Sequence, residues 1–437
     1  MSKTFNTHFS INRIILWLVL FLILSTCSTP PTTQYTSLIN TAHLDHLYEE
    51  VTMDGQQVGA IWIYSEAPDY QLVTDVDEGF TCIDDVARAL VFYCRHYLSD
   101  SSLYTLERIY SLTDFLLHMQ AENGYFYNFL LPGPQVNMTH QNSKAIPNWW
   151  SWRAFWALSE VGLLEATALS DLQSRCRPVM DTLLAKMQLV CSTMEGSILF
   201  EGIESPACLA DFGADQIAVM MLGLANYYRK QPNEAVKKLL TRLGNLLLEV
   251  QQGNDKNPPH YAFLSWRNYW HAWGNSQAHA LLYVGRILKD EQFITAGLNE
   301  VKYFYPYCLE KGFLSGLSMS AEDDLPIVKE VQSFPQIAYG MRPMINASLE
   351  AYDITGDLTF AETAGHLATW FFGNNPADQV MYDSATGRTF DGIGSSTSIN
   401  RNSGAESTIE GLLSLQAVEV VPAARRVVTT YRRKRTD

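Results

Sequence analysis

Apolar residues recur at three- and four-residue steps through most of the chain. In residues 83–99, for example, Val86, Leu90, Tyr93 and Tyr97 form one apolar side. This spacing is typical of an amphipathic helix that packs its apolar side against a protein core. The same pattern returns in segments separated by loops rich in Pro and Gly, and it predicts twelve helices.

Consecutive predicted helices pair into six hairpins. The pairs are 83–99 with 103–119, 149–166 with 172–190, 215–228 with 233–250, 275–288 with 291–309, 336–354 with 360–372, and 406–421 with an N-terminal helix at 37–51. The last pair would close a ring, because it joins the two ends of the chain. One stretch, 59–64, predicts a small strand-like ribbon near the N-terminus. We therefore expect a single all-α domain over residues 37–422.

Aromatic, acidic, Gly and Asn residues concentrate where the first helix of each hairpin begins. These loop–helix junctions are 79–85, 147–152, 210–215, 269–275, 333–336 and 402–407. They recur at a period of roughly 60 residues, as expected for one supersecondary unit repeated around a ring. If the first helices line the inside of the ring, all six junctions meet at one end. That end would be an acidic, aromatic funnel.

The N-terminal segment has a different composition. Lys3 and Arg13 precede an apolar run at 14–24, which is shorter than the ~20 residues needed to span a membrane. Residues 24–27, Leu-Ser-Thr-Cys, resemble the cleavage box of bacterial lipoproteins. We expect a signal peptide at 1–26, a lipid on Cys27 and a tether at 27–36. The alternative is an uncleaved apolar anchor at the same membrane.

These expectations place the protein in a bacterial cell envelope, facing the periplasm or the cell surface. The formal net charge is −15, which makes nucleic acid a poor partner. Six basic residues lie between Arg425 and Arg435, and we interpret residues 423–437 as a disordered basic tail.

The cysteine pattern predicts no metal site. The chain has seven cysteines, and none forms a C-x-x-C pair or lies near a histidine cluster. Cys82, Cys94 and Cys191 have apolar neighbours and are expected to be buried thiols. We expect no cofactor.

Motifs at both ends of the predicted domain resemble those of known toroid proteins. Residues 83–90, Ile-Asp-Asp-Val-Ala-Arg-Ala-Leu, resemble the Asp-Asp-x-Ala-Arg-Ala signature of bacterial toroid domains, some of them fused to glycosyltransferases. The segments 372–376, 381–387, 390–392 and 402–408 resemble further motifs of that group, in the same order. The resemblance implies the (α/α)6 toroid of the six-hairpin glycosidase superfamily, distantly similar to glycoside hydrolase family nine.

The resemblance also implies catalytic roles. In family nine an early Asp is the base and a late Glu is the acid, which implies Glu406 as acid and Asp85 or Asp84 as base. The chain lacks the Asp-Ala-Gly-Asp sequence of that family, so the assignment of the base rests only on position and chemistry. We expect Asp84 to cap its helix, and this leaves Asp85 as the favoured base. Asp211 and Asp215 are the alternative carboxylate pair.

Aromatic and polar side chains at the junctions are candidates for sugar binding, because aromatic rings stack on the apolar faces of sugars. Trp152 and Trp156 are assigned to the core. The long segment 373–402 is interpreted as a wall or lid of the funnel. The candidate binding residues are Trp149, Asp211, Asp215, Trp270, His271, Trp273, Asn275, Tyr339, Arg342, Asn375, Tyr382, Asp391 and Asn402.

Together these features predict a glycoside hydrolase with an inverting, two-carboxylate mechanism, acting on a neutral or basic oligo- or polysaccharide. One alternative is a lyase or epimerase of uronic acids, for which Arg342, Tyr339 and His271 could form the site. Another is a glycan-binding lipoprotein without catalytic activity.

Overall fold

The computed structural model describes residue 1, residues 37–323 and residues 325–436. The expected signal peptide, the lipidated Cys27 and the tether lie outside these described residues. Residues 38–437 form one compact unit. Within the described ranges, none of the helices has both the length and the apolar character that a membrane crossing requires.

Fifteen α-helices are described. They are α1 (Ala42–Leu47), α2 (Ile83–Asp100), α3 (Leu103–His118), α4 (Trp149–Leu163), α5 (Ser170–Met187), α6 (Ala207–Phe212), α7 (Ala214–Lys230), α8 (Glu234–Leu248), α9 (Gln277–Leu288), α10 (Glu291–Asn299), α11 (Tyr305–Glu310), α12 (Ala338–Thr355), α13 (Leu358–Ala368), α14 (Ala405–Glu419) and α15 (Pro422–Thr436). A π-helical turn, Glu300–Phe304, joins α10 to α11.

Six of these helices form a closed inner ring. In order they are α2, α4, α7, α9, α12 and α14, and each packs against the next, with α14 returning to α2. The outer helices α3, α5, α8, α10, α13 and α15 cover this ring. The inner helices are buried on nearly every side because neighbours flank them and the outer layer covers them. The molecule is therefore an all-α toroid, as the sequence pattern predicts.

Close packing between α4 and α7 depends on a glycine. A Cβ added at Gly223 would lie 2.8 Å from the Phe155 ring and 3.0 Å from the Cα of Trp156. Any larger residue would push the two inner helices apart. Trp152 and Trp156 are buried on α4, which confirms their assignment to the core.

The connections contain far more strand than the single predicted ribbon. The strands are β1 (Tyr48–Met53), β2 (Gln56–Ile61), β3 (Tyr64–Glu66), β4 (Gln71–Val73), β5 (Thr81–Cys82), β6 (Phe129–Leu131), β7 (Gln135–Val136), β8 (Ser197–Phe200), β9 (Ile203–Pro206), β10 (Gln251–Gln252), β11 (Ala262–Phe263), β12 (Tyr269–His271), β13 (Gly316–Glu322), β14 (Leu325–Gln332), β15 (Tyr382–Asp383), β16 (Arg388–Thr389), β17 (Gly392–Ser395) and β18 (Ser398–Asn400). They pair as two- or three-stranded antiparallel sheets, such as β12–β13–β14.

Both ends of the domain differ from the prediction. The expected helix at 37–51 is only the short α1, and β1 follows it directly. The expected disordered tail is α15, which takes the outer position that the N-terminal helix was predicted to fill. Ala424 and Val428 of α15 are fully buried, and Gly365 of α13 lets the two helices approach closely. The predictions of an N-terminal closing helix and of a disordered tail were wrong.

One cysteine prediction also fails. Cys191 forms a disulfide with Cys208, seventeen residues later, so it is not a free thiol. The disulfide ties the loop after α5 to the start of α6. Cys82 and Cys94 are buried free thiols, as expected.

Candidate active site

Arg88 connects the first and last inner helices. Its guanidinium lies 2.6 Å from the Asp85 carboxylate, 2.9 Å from Glu406 and 3.2 Å from Glu410. Asp85 and Arg88 are three residues apart on α2, and Glu406 and Glu410 are four apart on α14, so each pair shares one helix face. Arg88 is almost fully buried, where a charge is tolerated only when it is paired.

Two further arginines extend this cluster. Arg342 of α12 pairs with the other oxygen of Glu410. Arg153 of α4 lies 2.6 Å from Asp84 and donates a 2.9 Å hydrogen bond to the Tyr339 hydroxyl. We call the seven residues Asp84, Asp85, Arg88, Arg153, Arg342, Glu406 and Glu410 the arginine–carboxylate cluster.

Tyr339 lies at the centre of the three guanidinium groups. The guanidinium carbons of Arg88, Arg153 and Arg342 are 5.0, 5.4 and 5.3 Å from the centre of its ring. These distances allow cation–π attraction, which helps to hold the three cations together. Tyr339 therefore orders groups from α2, α4 and α12 at one end of the ring.

Two carboxyl groups of the cluster reach solvent. The side chain of Glu406 is 44% exposed and that of Asp84 is 20% exposed, whereas Asp85 is 5% exposed. Asp84 does not cap α2, because Cys82 occupies the cap position and no side chain accepts a capping bond there. The expectation that Asp84 caps the helix and leaves Asp85 open is therefore wrong.

The buried Asp85 is able to hold a proton near neutral pH. Burial raises its pKa to about 6, Arg88 opposes the rise, and the Glu406 charge adds to it. The Cys82 thiol donates to the second Asp85 oxygen at 3.2 Å. The cluster contains four carboxyl groups and three guanidinium groups, so one carboxyl group lacks a cation of its own. Asp85, the carboxyl group whose pKa burial raises, is therefore the one that retains a proton in mildly acidic conditions.

A second polar pair lies at the start of α7. His271 Nε2 is 3.1 Å from the Asp215 carboxylate, and His271 Nδ1 donates to the Trp273 carbonyl at 2.7 Å. A carbonyl oxygen only accepts, so Nδ1 carries a hydrogen and Nε2 faces the carboxyl group. Burial raises the pKa of Asp215, and the hydrogen bond with His271 opposes the rise. The two groups are placed to share a proton.

Aromatic rings lie beside both groups. The Trp273 ring stacks on His271 at 3.7 Å and is 42% exposed, and its centre is 6.1 Å from that of the half-buried Trp149. Gly274 has a φ of +71°, and a Cβ there would lie 3.2 Å from the Tyr339 hydroxyl and 3.3 Å from Trp149. This glycine therefore lets the 269–275 junction approach Trp149 of the 147–152 junction and Tyr339 of α12.

Five of the six predicted junctions meet in these contacts. They contribute Asp84, Trp149, Asp215, the His271–Trp273 segment and Glu406. The remaining junction, 333–336, differs. Gln336 is buried, and its side-chain amide binds the Trp370 indole and nearby carbonyl groups. Its helix contributes Tyr339 instead. We call the end of the ring where these residues meet the mouth.

Asp391 supports Glu406 from the long segment 373–402. Its carboxylate accepts hydrogen bonds from the Gly404 amide at 2.9 Å and the Ser407 hydroxyl at 2.7 Å. The Ala405 amide donates to the Ile63 carbonyl at 2.9 Å. Burial raises the pKa of Asp391, and the hydrogen bonds from Ser407 and Gly404 oppose the rise. The start of α14 is thus held on both sides of Glu406.

Several predicted binding residues belong to the scaffold. Trp270 is fully buried against Phe304, and Tyr382 is buried and accepts from the Asn40 amide, so their assignment to the funnel is wrong. Asn275 and Arg342 are buried as well. Asn375 donates to nearby backbone carbonyls, and Asn402 accepts a hydrogen bond from the Ala67 amide. Asp211 is exposed at the end of α6.

Sequence reasoning missed Arg153 and Glu410. The signals were present: Glu410 follows Glu406 by four residues, and Arg153 lies one turn after Trp149. Among the residues that the structure describes, no group of three or more His, Cys, Asp or Glu side chains is arranged to hold a metal ion.

Comparison with known proteins identifies the fold. No protein-family model matches the sequence, and no curated protein is significantly similar to it. Among solved structures, a sugar epimerase from a ruminal bacterium is similar with a TM-score of 0.60 and 13% identity over 86% of this chain and 94% of that one. A D-mannose isomerase is similar with a TM-score of 0.57 and 13% identity, covering 88% of this chain and 99% of that one.

A family 76 α-mannanase from Bacteroides thetaiotaomicron has a TM-score of 0.51 and 11% identity, covering 82% of this chain and 89% of the other. At such identities the likeness concerns the fold alone. These structures and the closed double ring of helices agree, and the chain has the (α/α)6 toroid fold.

Proposed function

We propose that the protein is a carbohydrate-active enzyme that cleaves a glycosidic bond with two carboxyl groups at the mouth. The observation that carries the proposal is the pair Glu406 and Asp84. They are the two solvent-reaching carboxyl groups of the cluster, and they lie on neighbouring inner helices. Glycosidic cleavage needs one carboxyl group to protonate the leaving oxygen and another to activate water or attack the sugar.

Glu406 is the proposed acid. Its side chain is half-exposed, and Asp85, whose pKa burial raises to about 6, shares the Arg88 guanidinium with it. Glu406, unlike the buried Asp85, can reach a sugar oxygen, and as general acid it would donate its own carboxyl proton to that oxygen. Asp84 is the proposed base, in preference to the buried Asp85. Arg153 pairs with Asp84 and orients its carboxylate.

Trp273 and Trp149 are proposed to bind the sugar by stacking. All three arginines of the cluster are almost fully buried and paired with carboxylates, so none offers its charge to an acidic sugar. This favours a neutral or basic glycan and argues against the uronic-acid alternative, which needs Arg342 at the surface. Similarity in fold to a family 76 α-mannanase supports glycan cleavage as an activity of this scaffold.

The second candidate is an epimerase or isomerase of a neutral sugar. The Asp215–His271 pair favours it, because the two groups are placed to move a proton beside an exposed tryptophan. Two of the similar structures are described as a sugar epimerase and a D-mannose isomerase. In this candidate His271 exchanges a proton with the sugar.

One assay separates the two candidates. The full-length protein is incubated in D2O with a panel of neutral oligosaccharides, and the products are followed by NMR. Hydrolysis creates new reducing ends, and the anomer formed first reports inversion or retention. Epimerisation or isomerisation leaves the number of reducing ends unchanged and introduces deuterium into the sugar. Binding without either change would identify a glycan-binding protein.

The Glu406→Gln variant tests the proposed acid. Removing the transferable proton is expected to lower turnover by at least ~100-fold and to leave glycan binding and thermal stability nearly unchanged. Glu234→Gln is the matched control, because Glu234 also lies in the first turn of a helix. If Glu406→Gln retains the activity of this control, Glu406 is only a charge at a helix end.

A further inference from the structure

A groove lies between the hairpin of β17 and β18 and the start of α12. Its volume of about 290 Å³ is close to the lower limit of small-molecule pockets in proteins. The lining includes three apolar and three polar side chains, those of Ile337, Ile393, Ile399, Asp391, Ser398 and Asn400. A sugar ring has the same mixed character, because it has apolar faces and a rim of hydroxyl groups. We call this cavity the hairpin groove.

The hairpin groove borders the start of α14, which carries the proposed acid. Asp391 lines the groove and also accepts hydrogen bonds from the Gly404 amide and the Ser407 hydroxyl, which flank Glu406 in the sequence. Both bonds reach Oδ1, so Oδ2 can accept a bond from a ligand hydroxyl. The Glu406 charge adds to the raised pKa of Asp391, as expected for neighbouring carboxylates. A glycan held at Glu406 can therefore continue into the groove.

Main-chain hydrogen bonds hold the two walls of the groove together. The Gln336 amide donates to the Ile393 carbonyl at 3.0 Å, and the Ile393 amide donates to the Gln336 carbonyl at 2.8 Å. The Gln336 side chain is buried and accepts from the Trp370 indole at 2.9 Å. The 333–336 junction, which does not contribute a side chain to the mouth, thus supports the groove beside it.

A β-bulge shapes the hairpin wall. Ile393 pairs with Ile399 and Ser395 pairs with Ser398, so Gly394 is an extra residue in β17. Such an extra residue bends its strand. Gly394 lines the groove, and a Cβ added there would lie 3.8 Å from Ser398 Oγ, which is ordinary van der Waals contact. A side chain introduced at this position is therefore accommodated and occupies the groove.

The order of the inner helices places the groove on one side of the proposed reaction. The helix α14 packs between α2, which carries Asp84, and α12, whose start lines the groove. A general acid protonates the oxygen of the leaving group, whereas the base acts on the opposite face of the attacked sugar. Sugar units of the leaving group therefore extend past Glu406 and away from Asp84, which is toward the groove.

We propose that the hairpin groove binds the sugar units of a neutral glycan on the leaving-group side of the cleaved bond. The orientation rests on the proposed function, whereas glycan binding by the groove does not. Asp391 Oδ2, Ser398 and Asn400 bind sugar hydroxyl groups, and Ile337 and Ile399 contact an apolar face of the ring. The protein accordingly prefers an oligosaccharide long enough to reach from the mouth into the groove.

Two serines of the same hairpin provide a matched pair of variants. Ser398 lines the groove, whereas Ser396 is exposed in the turn between β17 and β18 and is not part of the lining. Ser398→Phe fills the groove, and Ser396→Phe adds the same ring outside it. Gly394→Phe fills the groove from the other strand. Each change is made in the full-length Glu406→Gln protein, which is titrated in a calorimeter with pentasaccharides of cellulose, xylan, β-mannan and α-mannan.

Ser398→Phe and Gly394→Phe should each raise the Kd of the tightest-binding pentasaccharide by roughly fivefold or more relative to Ser396→Phe, because a sugar unit loses its contacts. Thermal unfolding checks that the variants are folded. Equal Kd values in the three proteins, or no binding of any pentasaccharide, would overturn the proposal. Cleavage that continues in Glu406→Gln would refute the proposed acid, and the comparison of Kd values would still test the groove.

The cleavage pattern tests the orientation separately. A pentasaccharide labelled at its reducing end is incubated with protein that retains Glu406, and mass spectrometry gives the size of the labelled fragment. The leaving group contains the reducing end, so Ser398→Phe should shorten the labelled fragment and Ser396→Phe should not. A longer labelled fragment would overturn the assignment to the leaving-group side. Weaker binding by Ser398→Phe together with no cleavage by wild type would refute the proposed function while supporting a glycan site in the groove.

Discussion

Arg88 links groups that are remote in the sequence because a buried guanidinium must find several acceptors. Its partner Glu406 is 318 residues away, and Asp85 is only three. The burial that forces this pairing also raises the pKa of Asp85, since an ionised carboxyl group loses hydration inside the ring. Burial and the Arg88 charge thus act on the Asp85 pKa in opposite directions, and burial prevails.

Replacing Asp85 with Asn tests this coupling. The pKa of Asp85 is raised from its ordinary value of 3.8 to about 6. The folded state therefore binds more protons than the unfolded state between these values, and its stability falls as pH rises through that window. Asp85→Asn should flatten this part of the dependence of Tm on pH. An unchanged slope between pH 4 and pH 6 would show that another group causes it.

Two tryptophans of equal exposure separate sugar binding from general surface effects. Trp273 and Trp266 are both 42% exposed, but only Trp273 stacks on His271 at the mouth. Trp273→Ala should weaken glycan binding by on the order of 1 kcal/mol, about fivefold in Kd, through loss of a stacking face. Trp266→Ala should leave Kd within twofold of wild type. Titration calorimetry measures both, and equal losses would contradict the assignment.

Single residues were harder to place from the sequence than helices. Trp270 and Trp273 are three positions apart in one junction, yet one is in the core and the other is exposed. The alternation of strand β12 turns Trp270 away from His271, and no register can be derived from the sequence for so short a strand. The pairing of Arg153 with Asp84 joins side chains of two different helices, and the pattern within one helix does not encode it.

Among elements, the inner helices were predictable because they combine apolar periodicity with Pro- and Gly-rich boundaries. The strands were mostly missed because many have only two to four residues. One strong signal was overlooked. Asp54 and Gly55 both have positive φ and connect β1 to β2, and Asp-Gly between two strands is a common hairpin turn. This signal could have shown that residues 48–53 are not helical.

The contact between α4 and α7 makes a prediction about two glycines. Gly223→Ala should destabilise the protein by about 1–3 kcal/mol, because the added methyl group meets Phe155 and the backbone of Trp156. Gly162, near the end of α4, has no atom within 4 Å of an added Cβ. Gly162→Ala should therefore stabilise by up to about 1 kcal/mol. Chemical denaturation measures both, and effects of the same sign would contradict this account of the packing.

The C-terminal helix allows a similar test. Val428→Asp places a charge in the fully buried face of α15 and should lower Tm markedly. Thr430→Asp, two residues later on the exposed face, should change Tm little. Thermal unfolding of the two variants distinguishes a structural helix from a dispensable tail. Equal Tm values would show that α15 adds nothing to stability.

At the scale of the whole molecule, the repeat period in the sequence predicted the ring of helices. It also predicted that the N-termini of the inner helices meet at one end of the ring. It did not predict how the ring closes. A helix of strong basic charge with few large apolar residues looks disordered in isolation, and α15 is ordered because α13 and α14 provide its contacts. Tertiary packing therefore determines that α15 is a helix, although its composition alone predicted disorder.

Closure of the ring by its first and last inner helices also constrains how the protein is made. A ribosome delivers α2, with Asp84, Asp85 and Arg88, more than three hundred residues before Glu406 and Glu410. During that interval Arg88 lacks two of its three carboxylate partners, and the incomplete ring exposes the apolar sides of α2 and α12 that α14 later covers. Chains that stop early lack the proposed acid altogether. The proposed catalytic pair can thus form only after nearly the whole chain has been synthesised.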